Sequence, residues 1–547
     1  MAPPVRRIVI LGGGFGGVYT AQALERLTRN DPTVEVSLVS RENYFTFHPM
    51  LPEVISGEIG LTDTVSPLHR MIPRTRLYVR EVESIDCERK VVRLQPGFLP
   101  RVEEIPYDHL VIALGNVTDF RGMPGLFEHA KPFKNLADAI SLRNHLIRVF
   151  DEAANVLDPE LRRELLTFVV AGGGFSGVEV CAELNDFVRK LARERRICRA
   201  DELRVVLLHS GERILDRELP QSLGEYSQDI LRKRGVDVRL QSRLATASPA
   251  AAILKGGERI PCRTLVSTVP SAPHPMVAAL PLTQEKGKLK TDGNLRVLGS
   301  DHVWALGDCA LIPLPSGGFA PPTAQHATRE AGVLGHNLMA TLRGGNLKTF
   351  AFEGLGKLGS LGRRRAVAEL FSKIRLSGMT AWFAWRTIYW MKLPGFGRKL
   401  KVGASWFLDL LLPAETVQLK TESGSSLTQL HYEPGDVVFH EGDLGDAFYM
   451  ILDGEVEVLT SKSPDPTVPV ATLRSGEFFG EIAVLKHLPR SGTVRAKTAI
   501  TLLALRQQDF HSLLAHVPEL RKSIEQVMDK RQNQNDGTRL PEADSGS

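Results

Sequence analysis

Two stretches of this chain constrain its fold more than any other. In each, a short apolar run ends in clustered glycines and continues with helical spacing. Arg6–Leu11 is followed by Gly12-Gly13-Gly14-Phe15-Gly16-Gly17, then by apolar residues at Val18, Ala21, Leu24 and Leu27. Leu166–Ala171 is followed by Gly172-Gly173-Gly174-Phe175-Ser176-Gly177 and Val178-Glu179-Val180-Cys181-Ala182-Glu183-Leu184. Both read as strand, tight turn and helix, the context in which spaced glycines cradle a dinucleotide. Gly12 and Gly172 permit the turn, Gly14 and Gly174 let a pyrophosphate approach the backbone, and Gly17 and Gly177 let helix pack on strand. The free amides at each helix N-terminus face the phosphates. Two such units imply two nucleotides.

The strand after each glycine turn should end in an acid that holds a ribose hydroxyl, about 20 residues beyond the glycines. Val34–Ser40 places Ser40 there, and Arg204–Ser210 places His209. Ser40 still offers a hydroxyl. His209 removes the charge that would repel a 2′-phosphate, so NADH and NADPH both remain open as donors. Tyr107–Gly115 reads as a further strand. Asp301–Asp308 is another, ending in Gly307-Asp308, and a helix follows from near Ala324 to about Leu342. Asp308 suits a ribityl hydroxyl, and the helix N-terminus at Ala324 suits the pyrimidine edge of a flavin. This architecture resembles the two-dinucleotide-domain flavoprotein reductases, and the resemblance implies FAD in the first cradle and a nicotinamide nucleotide in the second. Proteins built this way move a hydride to flavin N5 and pass the electrons on.

Composition narrows the chemistry. The 547 residues leave room for three or four domains, and a net charge of +5 gives no reason to expect nucleic acid. Five scattered cysteines form no C-x-x-C pair, which argues against zinc, iron–sulfur and dithiol centres and suits a reducing compartment. No metal site is expected. Neither a leader peptide nor a run of about 18 apolar residues is visible. Residues 363–412 stand apart: Trp382, Trp385, Trp390 and Trp406 alternate with many Lys and Arg residues and end at Leu410-Leu411-Leu412. That mixture suits amphipathic helices lying in a membrane interface, with tryptophans at headgroup level and cations facing anionic lipid. A membrane flavoprotein without iron–sulfur cysteines has a bilayer quinone as its natural acceptor.

Residues 6–420 resemble the type II, non-proton-pumping NADH:quinone oxidoreductases. The resemblance is carried by GGGFGG at 12–17, NYFTFHPMLP at 43–52, ALG at 113–115, GGGFSGVEVCAEL at 172–184 and GERIL at 211–215. It continues through ALGDCA at 305–310, PPTAQHA at 321–327, LGRRRAV at 361–367 and AWRTIYWMKLPGF at 384–396. The resemblance implies that the 43–52 loop, Ala113 and Gly115 flank the flavin. It also implies that Glu179 lies near the nicotinamide ring and the quinone route, and that Gln325 lines the quinone pocket. The family often carries a second glutamine where this chain has Arg329. Sulfide:quinone reductases share the architecture but need paired redox cysteines.

Beyond a hinge at Ser423-Gly424-Ser425-Ser426, short alternating segments with turn glycines give β patterning of jelly-roll type, and Tyr449–Leu459 reads as a hairpin pair. Residues 427–531 resemble the cyclic nucleotide-binding domain. Gly480-Glu481 followed by Arg490 has the spacing of its phosphate cassette. By that resemblance Glu481 takes the ribose 2′-hydroxyl, Arg490 pairs with the cyclic phosphate of cAMP or cGMP, and Ser491 adds a hydroxyl. A helix over 509–531 covers the base.

The expected fold is α/β: two Rossmann-like domains, an amphipathic membrane-anchor segment and a β-roll. FAD is expected on 1–165 and 291–350, NAD(P)H on 166–290, the anchor on 351–420, the sensor on 421–531 and a disordered tail on 532–547. The expected enzyme is peripheral, on the cytoplasmic face of the inner membrane, with homodimerisation open. The alternative is a membrane-attached cyclic-nucleotide sensor on a degenerate reductase scaffold.

Overall fold

The structure, a computed structural model, describes residues 5–97, 101, 103–118, 123, 126–199, 201–248, 250–268, 271–371, 373–408, 427–432, 434–445, 447–461, 465, 468–486, 488–516, 519, 522–524 and 526–528. Contacts divide the chain into one unit of 1–93 and 104–419 and a second of 94–103 and 420–547. The 423–426 hinge, Leu410–Leu412 and the 532–547 tail lie outside the described residues.

In the first unit β1 (Arg6–Leu11) passes through the glycine turn into α1 (Phe15–Leu27), and β2 (Val34–Ser40) follows. Next come α2 (Glu53–Ser56), β3 (Arg76–Val79) and β4 (His109–Ile112). β5 (Ala130–Pro132) and α3 (Leu136–Asn155) precede the second glycine unit. That unit is β6 (Thr167–Ala171), α4 (Phe175–Arg195), β7 (Arg204–Leu208), β8 (Val236–Arg239) and β9 (Thr264–Ser267). The chain then adds β10 (Val303–Ala305) and α5 (Ala324–Arg343). An antiparallel trio, β11 (Gly356–Ser360), β12 (Ala366–Leu370) and β13 (Ile374–Ser377), leads to α6 (Gly378–Lys392) and α7 (Phe396–Leu408).

Two parallel five-stranded sheets result, in the orders β10-β4-β1-β2-β3 and β5-β9-β6-β7-β8. The chain thus leaves the first sheet, builds the second and returns to the first with β10. Strands covered on both faces need near-continuous apolar runs. Ile8–Leu11, Phe168–Ala171 and Val205–Leu208 are such runs, and all are buried. Each large apolar side chain removed from water contributes about 1.5–3 kcal/mol. α5 crosses α1 closely, with the backbone at Gly335 against Ala23.

One sequence expectation fails here. Much of 363–377 is sheet, not helix: Gly362 (φ 70°) and Arg364 (φ 61°) turn the chain between β11 and β12. Nor do the tryptophans share one solvent-facing stripe. Trp385 is buried and Trp390 is exposed, and the other exposed large apolar residues of α6 and α7 are Met379, Phe383, Met391, Phe396, Leu400 and Phe407. Among the described residues no helix is long and apolar enough to cross a membrane.

The second unit is a β-roll. Its strands are β14 (Leu427–Tyr432), β15 (Val437–Phe439), β16 (Ala447–Asp453), β17 (Glu455–Leu459), β18 (Ala471–Arg474) and β19 (Phe478–Phe479). After α8 (Glu481–Lys486) come β20 (Thr493–Ala496), β21 (Ile500–Arg506) and α9 (Gln507–His516). Two four-stranded antiparallel sheets form, β14-β21-β16-β19 and β15-β20-β17-β18. Their facing side chains, among them Ile451, Val456, Phe479 and Leu502, make one core. The expected 449–459 hairpin is therefore absent: β16 and β17 belong to opposite sheets, and the chain changes sheet at Gly454 (φ 90°).

Candidate functional site

The first glycine turn is shaped by close backbone approach. Gly12 sits at φ 113°, and a Cβ on Gly17 would overlap the Gly12 carbonyl oxygen. Gly14 and Gly115 have open space where a side chain would stand. A flat, extended ligand therefore has room between the turns after β1 and β4, and Ala113 lies beside Gly12 in that wall. Ser40 ends β2 against Gly13, with its hydroxyl donated to the Glu42 carbonyl oxygen (2.7 Å). Gly307 and Asp308 form a single 3-10 turn after β10. The Asp308 carboxylate accepts from Asn116 Nδ2 (2.8 Å), and Lys134 Nζ donates to the Asn116 carbonyl oxygen (2.5 Å). Burial raises the Asp308 pKa and lowers Lys134 to about 8. The Gly307 N–H donates to Glu330 Oε2 (2.8 Å), and burial pushes Glu330 up to about 7. These residues fit a flavin dinucleotide: an open glycine turn, a helix N-terminus and a polar set farther along the sheet.

The second turn repeats the geometry. Gly172 sits at φ 124°, and a Cβ on Gly177 would overlap the Gly172 carbonyl oxygen. Two acids unnoticed in the sequence reach this turn. Glu218 Oε1 would lie 2.8 Å from a Cβ on Gly174, and Asp216 Oδ1 lies 3.6 Å from His209 Nε2. His209 itself rests over Gly173, 2.5 Å from where a Cβ would stand. A loop carboxylate thus stands beside the position whose strand acid is missing.

Glu179 and Gln325 approach the same strand from different helices. Glu179, half-buried on the second turn of α4, accepts the Ser360 N–H at the end of β11 (2.9 Å). Burial lifts its pKa to about 8, with the Glu53 carboxylate adding to the rise and the Ser360 amide opposing it. Gln325, in the first turn of α5, donates to the Gly356 carbonyl oxygen (3.2 Å) and accepts the Leu355 N–H (3.1 Å). Ala324 opens that helix, capped by Thr323. Arg329 donates to the Gln325 carbonyl oxygen (3.1 Å) and stacks on Phe352 (4.0 Å). An aromatic series runs from the first glycine turn toward α6. Phe15 meets Phe47 (6.0 Å between centroids), and Phe47 meets Tyr389 (6.0 Å). Tyr389, raised by burial and by the nearby Glu179 carboxyl, was not singled out in the sequence. All five cysteines are free, and the buried Cys309 thiol donates to Leu306 and Ile112 carbonyl oxygens.

In the second unit Gly480 (φ 84°) precedes α8, and Glu481 and Arg490 are buried. The Arg490 guanidinium donates to the carbonyl oxygens of Gly480 (2.9 Å) and Ala447 (2.8 Å) and stacks on Phe439 (4.1 Å). Ser491 is exposed. A Cβ on Gly492 would lie 2.7 Å from the Leu459 carbonyl oxygen, which accounts for glycine at that position.

Comparison with known proteins fits this geometry. Residues 6–331 match the pyridine nucleotide-disulphide oxidoreductase family, and residues 429–517 match the cyclic nucleotide-binding domain. The chain is 31% identical to the demethylphylloquinone reductase of Synechocystis sp., over 73% of this chain and 95% of that protein. It is 29% identical to a type II NADH:quinone oxidoreductase of Mycobacterium tuberculosis, over 74% of this chain and 87% of that protein. Among solved structures, NDH2 from Plasmodium falciparum in complex with NADH shares the fold, with a TM-score of 0.69 and 19% identity. That match covers 75% of this chain and 99% of the other.

Proposed function

As a member of the pyridine nucleotide-disulphide oxidoreductase family, and within it a type II NADH:quinone oxidoreductase joined to a cyclic nucleotide-binding domain, this chain carries two dinucleotide cradles, and we propose how they divide the work. Gly12, Gly14, Gly17, Ser40, Ala113, Gly115, Gly307, Asp308 and Ala324 hold FAD. Gly172, Gly174 and Gly177 hold the nicotinamide nucleotide, with His209 and Asp216 beside its adenosine ribose. Bound FAD supplies a hydride acceptor and a two-electron store.

The protein's own part is position, dryness and one proton. Oxidation of NADH by quinone consumes a proton from solution for each quinol formed. Glu179 is held neutral by burial, and its Oε1 is engaged by the Ser360 N–H, which leaves Oε2 to carry the proton toward the quinone oxygen. Gln325 fixes residues 355 and 356, the approach to β11, and so sets the wall opposite Glu179. The observation that carries this reading is that Glu179 and Gln325 bond to the two ends of β11, with Tyr389, the last ring of the aromatic series, near the Glu179 carboxyl. Sulfide:quinone chemistry has no cysteine pair to use.

The exposed apolar residues of α6 and α7 are the membrane-facing surface, and the enzyme works at the cytoplasmic face of the inner membrane. In the second unit Glu481, Arg490, Ser491 and the backbone after Gly480 hold a cyclic nucleotide, which modulates turnover. The purified protein should oxidise NADH only when a quinone is supplied, at one quinol per NADH. Absence of quinone-dependent NADH loss would reject the assignment.

A further inference from the structure

A groove of about 1430 Å³ lies between the C-terminal half of α4, the β11–β12 turn and helices α6 and α7. The electron-transfer reading makes no use of it. It exceeds the roughly 300–1,000 Å³ of ordinary small-molecule pockets. Its lining combines two chemistries. The turn presents Arg363, Arg364 and Arg365 in succession, all exposed, and none is in an ion pair among the described residues. Eight Lys and Arg residues line the groove against three carboxylates. The helices add an apolar, aromatic part: Phe383 is 59% exposed and Phe407 65%, and Trp390 also lines the groove. One part of the lining is fixed. Arg386 stacks between Trp382 (4.6 Å) and Trp406 (4.4 Å) and pairs with Glu58 (2.7 Å).

A ligand that satisfies both parts of this lining carries a phosphate for the arginines and hydrocarbon for the aromatic rings. Guanidinium groups bind phosphate oxygens in pairs, and aromatic rings sit at the depth where headgroup meets acyl chain. A second copy of this chain is a poor occupant, because a two-fold contact would bring the same excess of cations face to face. We infer that the groove seats one anionic phospholipid, with its phosphate on the Arg363–Arg365 turn and its upper acyl chains against Phe383, Trp390 and Phe407. The inference rests on the membrane reading of α6 and α7.

The test uses the full-length holoprotein and sedimentation with vesicles of phosphatidylcholine, alone or mixed with phosphatidylglycerol. Wild type should prefer the mixed vesicles. R363Q/R365Q should lose about 10–30-fold of its affinity for them and keep its affinity for neutral ones, since each cation near an anionic surface contributes about fivefold. Arg364 is left in place because of its left-handed backbone. Turnover with a water-soluble quinone should be unchanged. K357Q/K373Q removes the same charge outside the groove and should keep the preference. An equal loss in that control would mean diffuse attraction and overturn the site. Short-chain phosphatidylglycerol should compete far better than glycerol phosphate, and equal competition would make this a free-phosphate site and overturn the lipid assignment. Wild type that binds both vesicles alike refutes the inference alone, whereas binding to neither refutes the membrane reading with it.

Discussion

Glu179 is where packing and chemistry meet most closely. Its carboxyl is protonated below about pH 8 because burial disfavours the charged form, so the form that the proposed proton transfer requires is lost as pH rises through that value. The quinone half-reaction should therefore slow above about pH 8. Glu179→Gln should retain FAD, leave flavin reduction by NADH near wild type, slow quinone reduction about 10²-fold and abolish that pH limb. Stopped-flow traces of each half-reaction across pH check this, and equal slowing of both halves would assign Glu179 to packing. The proposed placement of the nicotinamide nucleotide makes donor choice a matter of single residues. In that placement Asp216, 3.6 Å from His209, would repel a 2′-phosphate, so Asp216→Asn should raise kcat/KM for NADPH relative to NADH about fivefold, the worth of one partly screened charge. An unchanged ratio in steady-state assays with both nucleotides would remove Asp216 from the specificity account. Glu179 stood out in the sequence through its motif, whereas Asp216, Ser360 and Tyr389 did not. They come to the site through loop closure and long-range packing, which adjacent residues do not encode.

Among the elements, the glycine turns are where local sequence and structure agree most fully. A strand, a left-handed glycine and a close helix contact are all decided within about a dozen residues. Gly177→Ala should therefore act selectively. Its methyl would overlap the Gly172 carbonyl oxygen and push α4 off β6 at a cost of about 1–3 kcal/mol. The protein should stay yellow but reduce slowly with NADH, as read by the flavin absorbance. Loss of FAD instead would reverse the assignment of the two cradles. Segment 363–377 reads as helix when the Arg and Trp content of 363–412 is weighed above the turn signal of Gly362, and composition cannot tell a hairpin from a helix. The chain reversal at Gly454 was legible as a turn, but local sequence does not say whether the strands it joins pair with each other or lie in opposite sheets.

At the scale of the whole molecule, a redox unit and a β-roll share one chain, and each keeps its own core. Arg490 supports two carbonyl oxygens, that of Ala447 buried and that of Gly480 part-buried, so Arg490→Ala would remove the proposed phosphate ligand and also destabilise the roll by about 1–3 kcal/mol per unsatisfied group. Glu481→Gln keeps the side chain's size and should weaken cyclic nucleotide binding about tenfold in calorimetry. Titrating cAMP and cGMP into turnover assays then reads any coupling between the units. The central claim, electron flow from NADH through the first cradle to quinone, is tested most directly by anaerobic stopped-flow mixing of the holoprotein. NADH should bleach the oxidised flavin band within the turnover time, and a water-soluble quinone should restore it at least as fast as steady-state turnover. A flavin that stays oxidised in NADH, or stays reduced when quinone is added, would contradict the account.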